Sequence, residues 1–126
     1  MTNFRVRICG CRDFGNYELL KEKCLYYLQN KMPNVTIISG AGRGADYLGE
    51  QFAKEYGLEL EIHKPDWNGE GRSAGPKNNE KIIQTVDAAI AFWDGESKGT
   101  KSTIEFCKQY NKRCIVVDIR GDKNDN

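Results

Sequence analysis

Short apolar runs alternate with longer segments of helical periodicity along this chain, and this alternation restricts its fold more than any other feature. Runs of strand length occupy residues 4–9, 35–38, 58–62, 88–93 and 114–119. Between them, apolar residues recur at helical spacing over 17–31, over 47–56, from about 76 and over 102–110. Strands that alternate with helices indicate right-handed parallel crossovers. We therefore predict a three-layer, Rossmann-like α/β sandwich with a mostly parallel five-stranded sheet in the order 3-2-1-4-5.

Length and composition predict one cytoplasmic domain. A chain of 126 residues suits a single core, which we place at residues 1–119, with 120–126 as a solvated C-terminal tail. No apolar stretch reaches the ~18 residues of a membrane span, and residues 1–10 lack the apolar centre of a signal peptide. Five cysteines without a CxxC pair favour reduced thiols. The net charge of +1 provides no basic track, so nucleic acid is not an expected partner.

Glycine, hydroxyl and charged residues gather after four of the predicted strands. The carboxyl ends of parallel strands lie at one edge of a sheet, where the ligand crevice of an open α/β fold is found. The four segments at that edge are 10–15, 39–46, 66–79 and 94–100. The connections at the opposite edge, such as 31–34 and 110–113, contain no glycine cluster. We therefore expect the functional site at the carboxyl edge.

The segment after the second strand is the strongest candidate for a phosphate site. Its glycines would let backbone N–H groups approach phosphate oxygens, and the following helix adds its positive end. Gly40-x-Gly42-x-x-Ala45 also fits a loose dinucleotide fingerprint, with Glu61 as a candidate ribose ligand. The alternative is a tight strand-to-helix turn with Ser39 or Asp46 as the capping residue.

The segment after the fourth strand offers a second phosphate or ribose contact. It combines small residues with hydroxyls, a composition that suits oxygen ligands. The residues concerned are Gly95, Ser97, Gly99 and Thr100. The alternative is helix capping, because Ser102-x-x-Glu105 has the spacing of a capping box.

Charged residues at the same edge suggest further ligand contacts. Arg12 directly follows the first strand and would hold a phosphate or carboxylate through two oxygens, or else form a surface ion pair with Asp13 or another nearby acid. Asp66 and Asp94 are candidates for ribose hydroxyls or for Mg²⁺ beside a phosphate. They are also the two weak candidates for a catalytic acid, and a plain turn role is equally expected for both.

Aromatic, histidine and cysteine residues give weaker signals. Trp67 would stack on a base or close the crevice, whereas core packing is favoured for Trp93. His63 has no neighbouring nucleophile, so a structural or surface role is favoured and no metal site is predicted. Cys9 and Cys11 lie two residues apart at the end of the first strand, and packing roles are favoured for both over chelation.

At these residues the chain resembles the SLOG superfamily, specifically its YspA-like, YpsA-related branch, and more distantly the LOG and lysine decarboxylase-like Rossmannoid proteins. The motifs are GCRDF at 10–14, SGAGRGAD at 39–46, DW at 66–67 with AGPKNN at 74–79, and FWDGESKGT at 92–100. The resemblance implies a Rossmann-like fold whose glycine-rich loops bind nucleotides or their derivatives. The resemblance adds further residues to those already named. The full predicted ligand-binding set is Gly10, Arg12, Ser39, Gly40, Gly42, Arg43, Gly44, Asp46, Trp67, Gly75, Asn79, Asp94, Gly95, Ser97, Gly99 and Thr100.

The chain departs from the related patterns at three places. Asn78 stands where an arginine is expected before Asn79, and the second-strand loop has Gly-Ala-Gly in place of Gly-Gly-Ala. LOG enzymes, which hydrolyse nucleoside monophosphates, carry a glutamate three residues after their Gly-Thr pair, and that position is Thr103 here. Glu105, the nearest acid, is two residues further on and points about 200° away around the helix.

The leading prediction is therefore a nucleotide-binding or ligand-sensing domain that requires no cofactor. A nucleotide-processing hydrolase that cleaves an N-glycosidic or phosphate bond is the first alternative, with Asp94 or Asp66 as base or metal ligand and Mg²⁺ as a candidate cofactor. A protein-interaction module is the second alternative. The tyrosines leave room for a homodimer formed through the helices; they include Tyr17, Tyr26, Tyr27 and Tyr47.

Overall fold

The structure of the protein, a computed structural model, describes residues 2–121. Its strands are β1 (Phe4–Gly10), β2 (Val35–Ser39), β3 (Glu59–Ile62), β4 (Ala88–Trp93) and β5 (Arg113–Asp118). Its helices are α1 (Tyr17–Leu28), α2 (Ala45–Glu55), α3 (Trp67–Glu70), α4 (Ala74–Thr85) and α5 (Lys98–Gln109), with a 3-10 turn at Gly71–Ser73. Every strand pair is parallel, and the sheet order is β3-β2-β1-β4-β5. The predicted Rossmann-like α/β fold and strand order are confirmed.

The central strand β1 separates two apolar cores because its side chains alternate between the faces of the sheet. Val6 and Ile8 lie in the larger core, which includes Leu20 of α1 and Phe52 of α2. The smaller core lies on the other face, beneath α4 and α5, and contains Ile38, Ile82, Ile83, Val86, Ala89 and Cys107. Helices therefore cover both faces, as a parallel sheet requires.

Two predicted helix boundaries are wrong. The segment 66–79, predicted as loop until a helix near Pro76, contains α3, the 3-10 turn and the start of α4. The Asp66 carboxylate accepts the Gly69 N–H at 2.9 Å and so caps α3. The helix predicted from Ser102 begins four residues earlier, because Ser97 is its N-cap. Ser102 therefore lies inside α5, and the capping box predicted there does not form.

Arg120 and Gly121, the first residues of the predicted C-terminal tail, are exposed. The rest of that tail, 122–126, lies outside the described residues. Every helix within 2–121 is too short or too polar to cross a bilayer. All five cysteines are free thiols, in agreement with the prediction.

Candidate functional site

The carboxyl ends of the strands frame an open cleft of about 870 Å³. It lies where strand order reverses, since β1 is followed by β2 on one side and β3 crosses over to β4 on the other. The predicted site residues that line it are Gly10, Arg12, Gly40, Gly42, Arg43, Asp46, Trp67, Gly75, Asn79, Asp94, Ser97, Gly99 and Thr100. Ser39, Gly44, Gly95 and Asp66 lie outside this lining. The fold thus brings together most, but not all, of the residues predicted from sequence.

Three helices begin at the cleft. Asp46 in the first turn of α2, Gly75 in that of α4 and Gly99 in that of α5 all belong to the lining. Backbone N–H groups at a helix start carry a partial positive charge. The cleft therefore collects three positive helix ends, an arrangement that favours a bound anion.

Like the start of α4, where Ser73 makes no cap hydrogen bond, the start of α2 has no side-chain cap. Its N-cap is Gly44, which has no side chain, and no side-chain cap hydrogen bond is made. The first hydrogen bond within the helix runs from the Leu48 N–H to the Gly44 carbonyl oxygen, at 2.9 Å. The alternative that Ser39 or Asp46 caps this helix is not realised. The N–H groups of Asp46 and Tyr47 therefore have no side-chain acceptor.

The Asp46 carboxylate instead holds the loop that precedes α2. It accepts the Gly42 N–H at 3.0 Å and pairs with the Arg7 guanidinium at 2.9 Å. Arg7 is buried beneath the loop, and its Nε has no hydrogen-bond partner within the described residues. Burial alone would lower the pKa of Arg7, but the Asp46 charge raises it, and the net shift is upward. The pair thus fixes the loop from below.

The glycines of this loop are needed by the protein itself. A Cβ at Gly40 would lie 2.7 Å from the Arg7 guanidinium, and one at Gly42 would lie 2.7 Å from the Asp46 carboxylate. At Gly44, where φ is +68°, a Cβ would collide with the carbonyl oxygen of Cys11. These contacts explain the Gly-x-Gly-x-Gly pattern without any ligand. The fold thus supplies a reason of its own for glycine at these positions, and it is strongest at Gly44, where the nearest atoms belong to the backbone.

The start of α5 is, by contrast, closed by side chains. The Ser97 hydroxyl accepts the Thr100 N–H at 3.4 Å, and the Asp94 carboxylate accepts the N–H groups of Glu96 and Ser97 at 2.8 and 2.9 Å. The Trp93 indole donates to Ser97 O at 3.0 Å. Trp93 is thus a packing and positioning residue, and Asp94 and Ser97 both have structural roles.

Three cations border the cleft: Arg12, Arg43 and Lys98. All three are exposed, and across residues 2–121 none of them forms an ion pair. The alternative that Arg12 pairs with Asp13 is therefore not realised. Lys98 was missed by sequence reasoning, which selected only the glycines, hydroxyls and Asp94 from the segment 94–100.

Trp67 forms an aromatic wall of the cleft. Its side chain is 53% exposed, and its ring lies so close to Gly75 that a Cβ there would be 3.3 Å away. Asn78, which stands where a cationic residue was expected, donates to His63 O at 2.7 Å and joins α4 to the end of β3. The wall thus presents a flat apolar surface held by local contacts.

The floor of the cleft holds two thiols and a hydroxyl: Cys9, Cys11 and Thr103. Burial raises the pKa of Cys9 to about 12 and raises that of Cys11 as well, so both remain protonated at neutral pH. Thr103 donates to Gly99 O at 3.4 Å. Glu105 is exposed on α5 and does not line the cleft. In the described part of the chain, no three His, Cys, Asp or Glu residues converge on a metal position.

A family model matches the part of the chain that carries the first half of this site. The model describes the YspA, cpYpsA-related SLOG family (YAcAr), and it matches residues 4–69, just over half of the chain. This range runs from the start of β1 into α3 and includes Arg12, the loop before α2 and Trp67. None of the curated proteins compared with the chain gives a significant match.

Proposed function

The chain belongs to the YspA, cpYpsA-related SLOG family, and on that premise we propose that its cleft binds a nucleotide or nucleotide derivative as a ligand sensor. Family membership suggests nucleotide-related binding or processing in general. The proposal adds the placement of the ligand: its phosphate lies at the start of α2, and its base lies against Trp67. It requires no cofactor, and it places the protein in the cytoplasm.

The uncapped start of α2 is the observation that carries the proposal. A helix start normally satisfies its orphan N–H groups with a capping side chain or with water. α2 has no capping side chain, and its start opens on a cleft bordered by Arg12 and Arg43. A phosphate oxygen would accept these N–H groups, and the two guanidinium groups would balance its charge.

Trp67 supports the placement of the base. An indole ring offers a broad apolar face on which any base can stack. About half of Trp67 is exposed, and the edge of its ring lies against Gly75. The cleft volume of about 870 Å³ falls within the range of small-molecule sites, roughly 300–1,000 Å³.

The arrangement of acids favours binding over hydrolysis. Asp66 is engaged as the cap of α3 and lies outside the lining. Asp94 holds two backbone N–H groups of its own loop. Thr103, at the position of the LOG glutamate, is a hydroxyl that cannot act as a carboxylate base, and its side chain is buried.

Calorimetric titration with AMP, ADP and ATP, and with adenosine as the ligand that lacks phosphate, tests the phosphate placement. Arg12→Ala and Arg43→Ala should each weaken AMP binding by roughly 10- to 100-fold, the loss expected from a charged hydrogen bond of about 1.5–3 kcal/mol. Lys54→Ala is the matched control, because it removes a cation at the other end of α2. Equal affinities for AMP and adenosine, or no binding at all, would refute the phosphate placement.

Trp67→Ala tests the base placement. It should weaken AMP and adenosine alike by roughly 5- to 100-fold, since stacking on an aromatic ring is worth about 1–3 kcal/mol per base. Tyr26→Ala is the control, because Tyr26 is 65% exposed on α1 and does not line the cleft. Chromatography of the same mixtures checks for free base or released phosphate. A product that disappears in Asp94→Asn would replace the sensor with the hydrolase.

A further inference from the structure

Two amide or hydroxyl side chains that line the cleft are not used by the fold. Asn79 and Ser102 belong to the lining and are partly buried, and neither side chain forms a hydrogen bond with any residue of 2–121. The other amide and hydroxyl side chains of the lining have partners within the protein; they are those of Asn78, Ser97, Thr100 and Thr103. Polar groups that are shielded from water are normally hydrogen-bonded. Asn79 and Ser102 are therefore available to a ligand.

The two side chains lie at a similar depth on neighbouring helices. α4 and α5 pack against each other, and both begin at the cleft. Asn79 follows Gly75 by four residues on α4, and Ser102 follows Gly99 by three on α5, so that each lies about one turn further in. Exposure falls in this direction along α5, from exposed Gly99 to partly buried Ser102 and buried Thr103. Both side chains thus border the inner part of the cleft between these helices, the α4–α5 recess.

The α4–α5 recess adjoins the aromatic wall of the cleft. The Trp67 ring packs against Gly75, where a Cβ would lie 3.3 Å from the ring. Residues four apart on a helix are neighbours on one face, with Cβ atoms about 5–6 Å apart. Asn79 is therefore the next side chain along α4 from the point where Trp67 touches this helix. A base that stacks on Trp67 has its edge within reach of Asn79.

We propose that the α4–α5 recess binds the edge of an adenine, with Asn79 as the residue that selects the base; this inference rests on the proposed nucleotide site. A planar amide offers a donor and an acceptor side by side, which match a ring nitrogen and the 6-amino group of adenine. Asn79 Oδ1 accepts one N–H of the amino group, and Asn79 Nδ2 donates to the ring nitrogen. The second N–H of the amino group has the Ser102 hydroxyl as its acceptor.

The type of side chain in the recess favours adenine over other bases. Arginine and lysine suit the two acceptors of guanine, carboxylates suit the amino group of cytosine, and amides suit adenine. The exposed charged side chains of the lining stand elsewhere: Arg12 and Asp13 follow β1, and Arg43 precedes α2. Lys98 lies at the exposed start of α5, about one turn nearer the solvent than Ser102. The recess itself therefore presents an amide to the base.

Calorimetric titration of the full chain with AMP and with purine riboside 5′-monophosphate, which has hydrogen in place of the 6-amino group, tests the inference. AMP should bind roughly 5- to 150-fold more tightly, the discrimination expected from a bidentate contact of about 1–3 kcal/mol. Asn79→Ala should bring this ratio to about two or less, because it removes that contact. The variant should fold, since Asn79 has no partner in the protein and alanine favours helix. Gln109→Ala, which removes an exposed amide from the far end of α5, should retain the ratio.

Asn79→Asp should change the preferred base. A carboxylate only accepts hydrogen bonds, so it opposes the ring nitrogens of adenine and suits the adjacent N1–H and N2–H donors of guanine. The ratio of GMP affinity to AMP affinity should rise roughly tenfold or more. Equal affinities of the unmodified protein for AMP and its analogue, or a ratio that Asn79→Ala leaves unchanged, would overturn this inference while the nucleotide site stands. Failure of AMP, its analogue and GMP to bind would overturn both.

Discussion

Two glycine-rich segments meet at the carboxyl edge of the sheet, one before α2 and one before α5, and they are built differently. The glycines before α2 lie close to other atoms of the protein, most tightly at Gly44, and the helix that follows has no side-chain cap. Before α5, a Cβ at Gly99 would meet nothing, and Ser97 caps the helix. The two segments are thus similar in composition, but only α2 begins with N–H groups that no side chain caps. An uncapped helix start therefore indicates the ligand position better than the number of glycines does.

The two segments also rest on different ion pairs. Arg7 and Asp46 lie beneath the first, with side chains that are 4% and 12% exposed. Arg120 and Asp118 lie behind the second, with side chains that are 69% and 57% exposed. Buried charges that lose a partner are costly, whereas exposed pairs contribute little. The first segment should therefore be the more sensitive to substitution.

Arg7→Met should have the largest effect on stability, because it leaves the Asp46 carboxylate buried without its counter-charge. Loss of one partner of a buried pair costs about 3–5 kcal/mol of the free energy of unfolding. Urea denaturation measures the loss, and Arg7→Met combined with Asp46→Leu should recover part of it. A loss below about 1 kcal/mol in the single variant would contradict the role given to this pair.

Gly44→Ala should be the next most damaging change. A left-handed backbone costs a non-glycine residue about 1–2 kcal/mol, and the collision of the new Cβ with the Cys11 carbonyl adds overpacking of about 1–3 kcal/mol. Gly99→Ala is the matched change before α5, where it should be neutral or stabilise by up to about 1 kcal/mol. Equal urea midpoints for the two variants would remove the distinction between the segments.

Ser97→Ala should cost about 1 kcal/mol, because it removes the cap of α5. Ser102→Ala is the control: Ser102 lies within the helix, where alanine is at least as favourable. Thermal or urea unfolding of both variants measures the difference. If Ser102→Ala were the more destabilising of the two, the start of α5 would lie where the sequence predicted it.

Asp118→Asn should have the smallest effect on stability at neutral pH, and it should change how stability depends on pH in acid. Hydrogen bonds from Arg120 lower the pKa of Asp118 to about 2, from about 3.9 in an unfolded chain. The pair therefore stabilises the fold above about pH 4, and this contribution is lost as the pH falls towards 2. Urea midpoints at pH 2, 3, 4 and 5 should vary less with pH in the variant. An unchanged pH dependence would contradict the pairing.

The sequence predicted the layered fold and the cleft because both follow from patterns that are local and repeated. The apolar run 88–93 matches β4 at both ends, since apolar residues fill it from end to end. The start of α5 was misplaced because the hydroxyls of Ser97 and Ser102 both suit an N-cap, and only tertiary contacts decide between them.

Arg7 was the main residue that sequence reasoning missed. A charged residue within an apolar strand was a usable signal, since a buried cation needs a partner. Its partner, Asp46, is distant in sequence, so the pair becomes visible only when β1 and the loop before α2 are brought together. The internal role of Gly40 and Gly42 depends on the same pair and was hidden for the same reason.

The most direct test of the central claim is to record amide nitrogen–proton NMR spectra of the labelled protein during titration with AMP and, separately, with adenosine. If the phosphate lies at the start of α2, the Asp46 and Tyr47 amides should shift strongly with AMP and only weakly with adenosine. The amides of Glu96, Ser97 and Thr100, which donate to side chains already, should shift less. Phosphate-dependent shifts confined to the start of α5, with Asp46 and Tyr47 unchanged, would contradict the account.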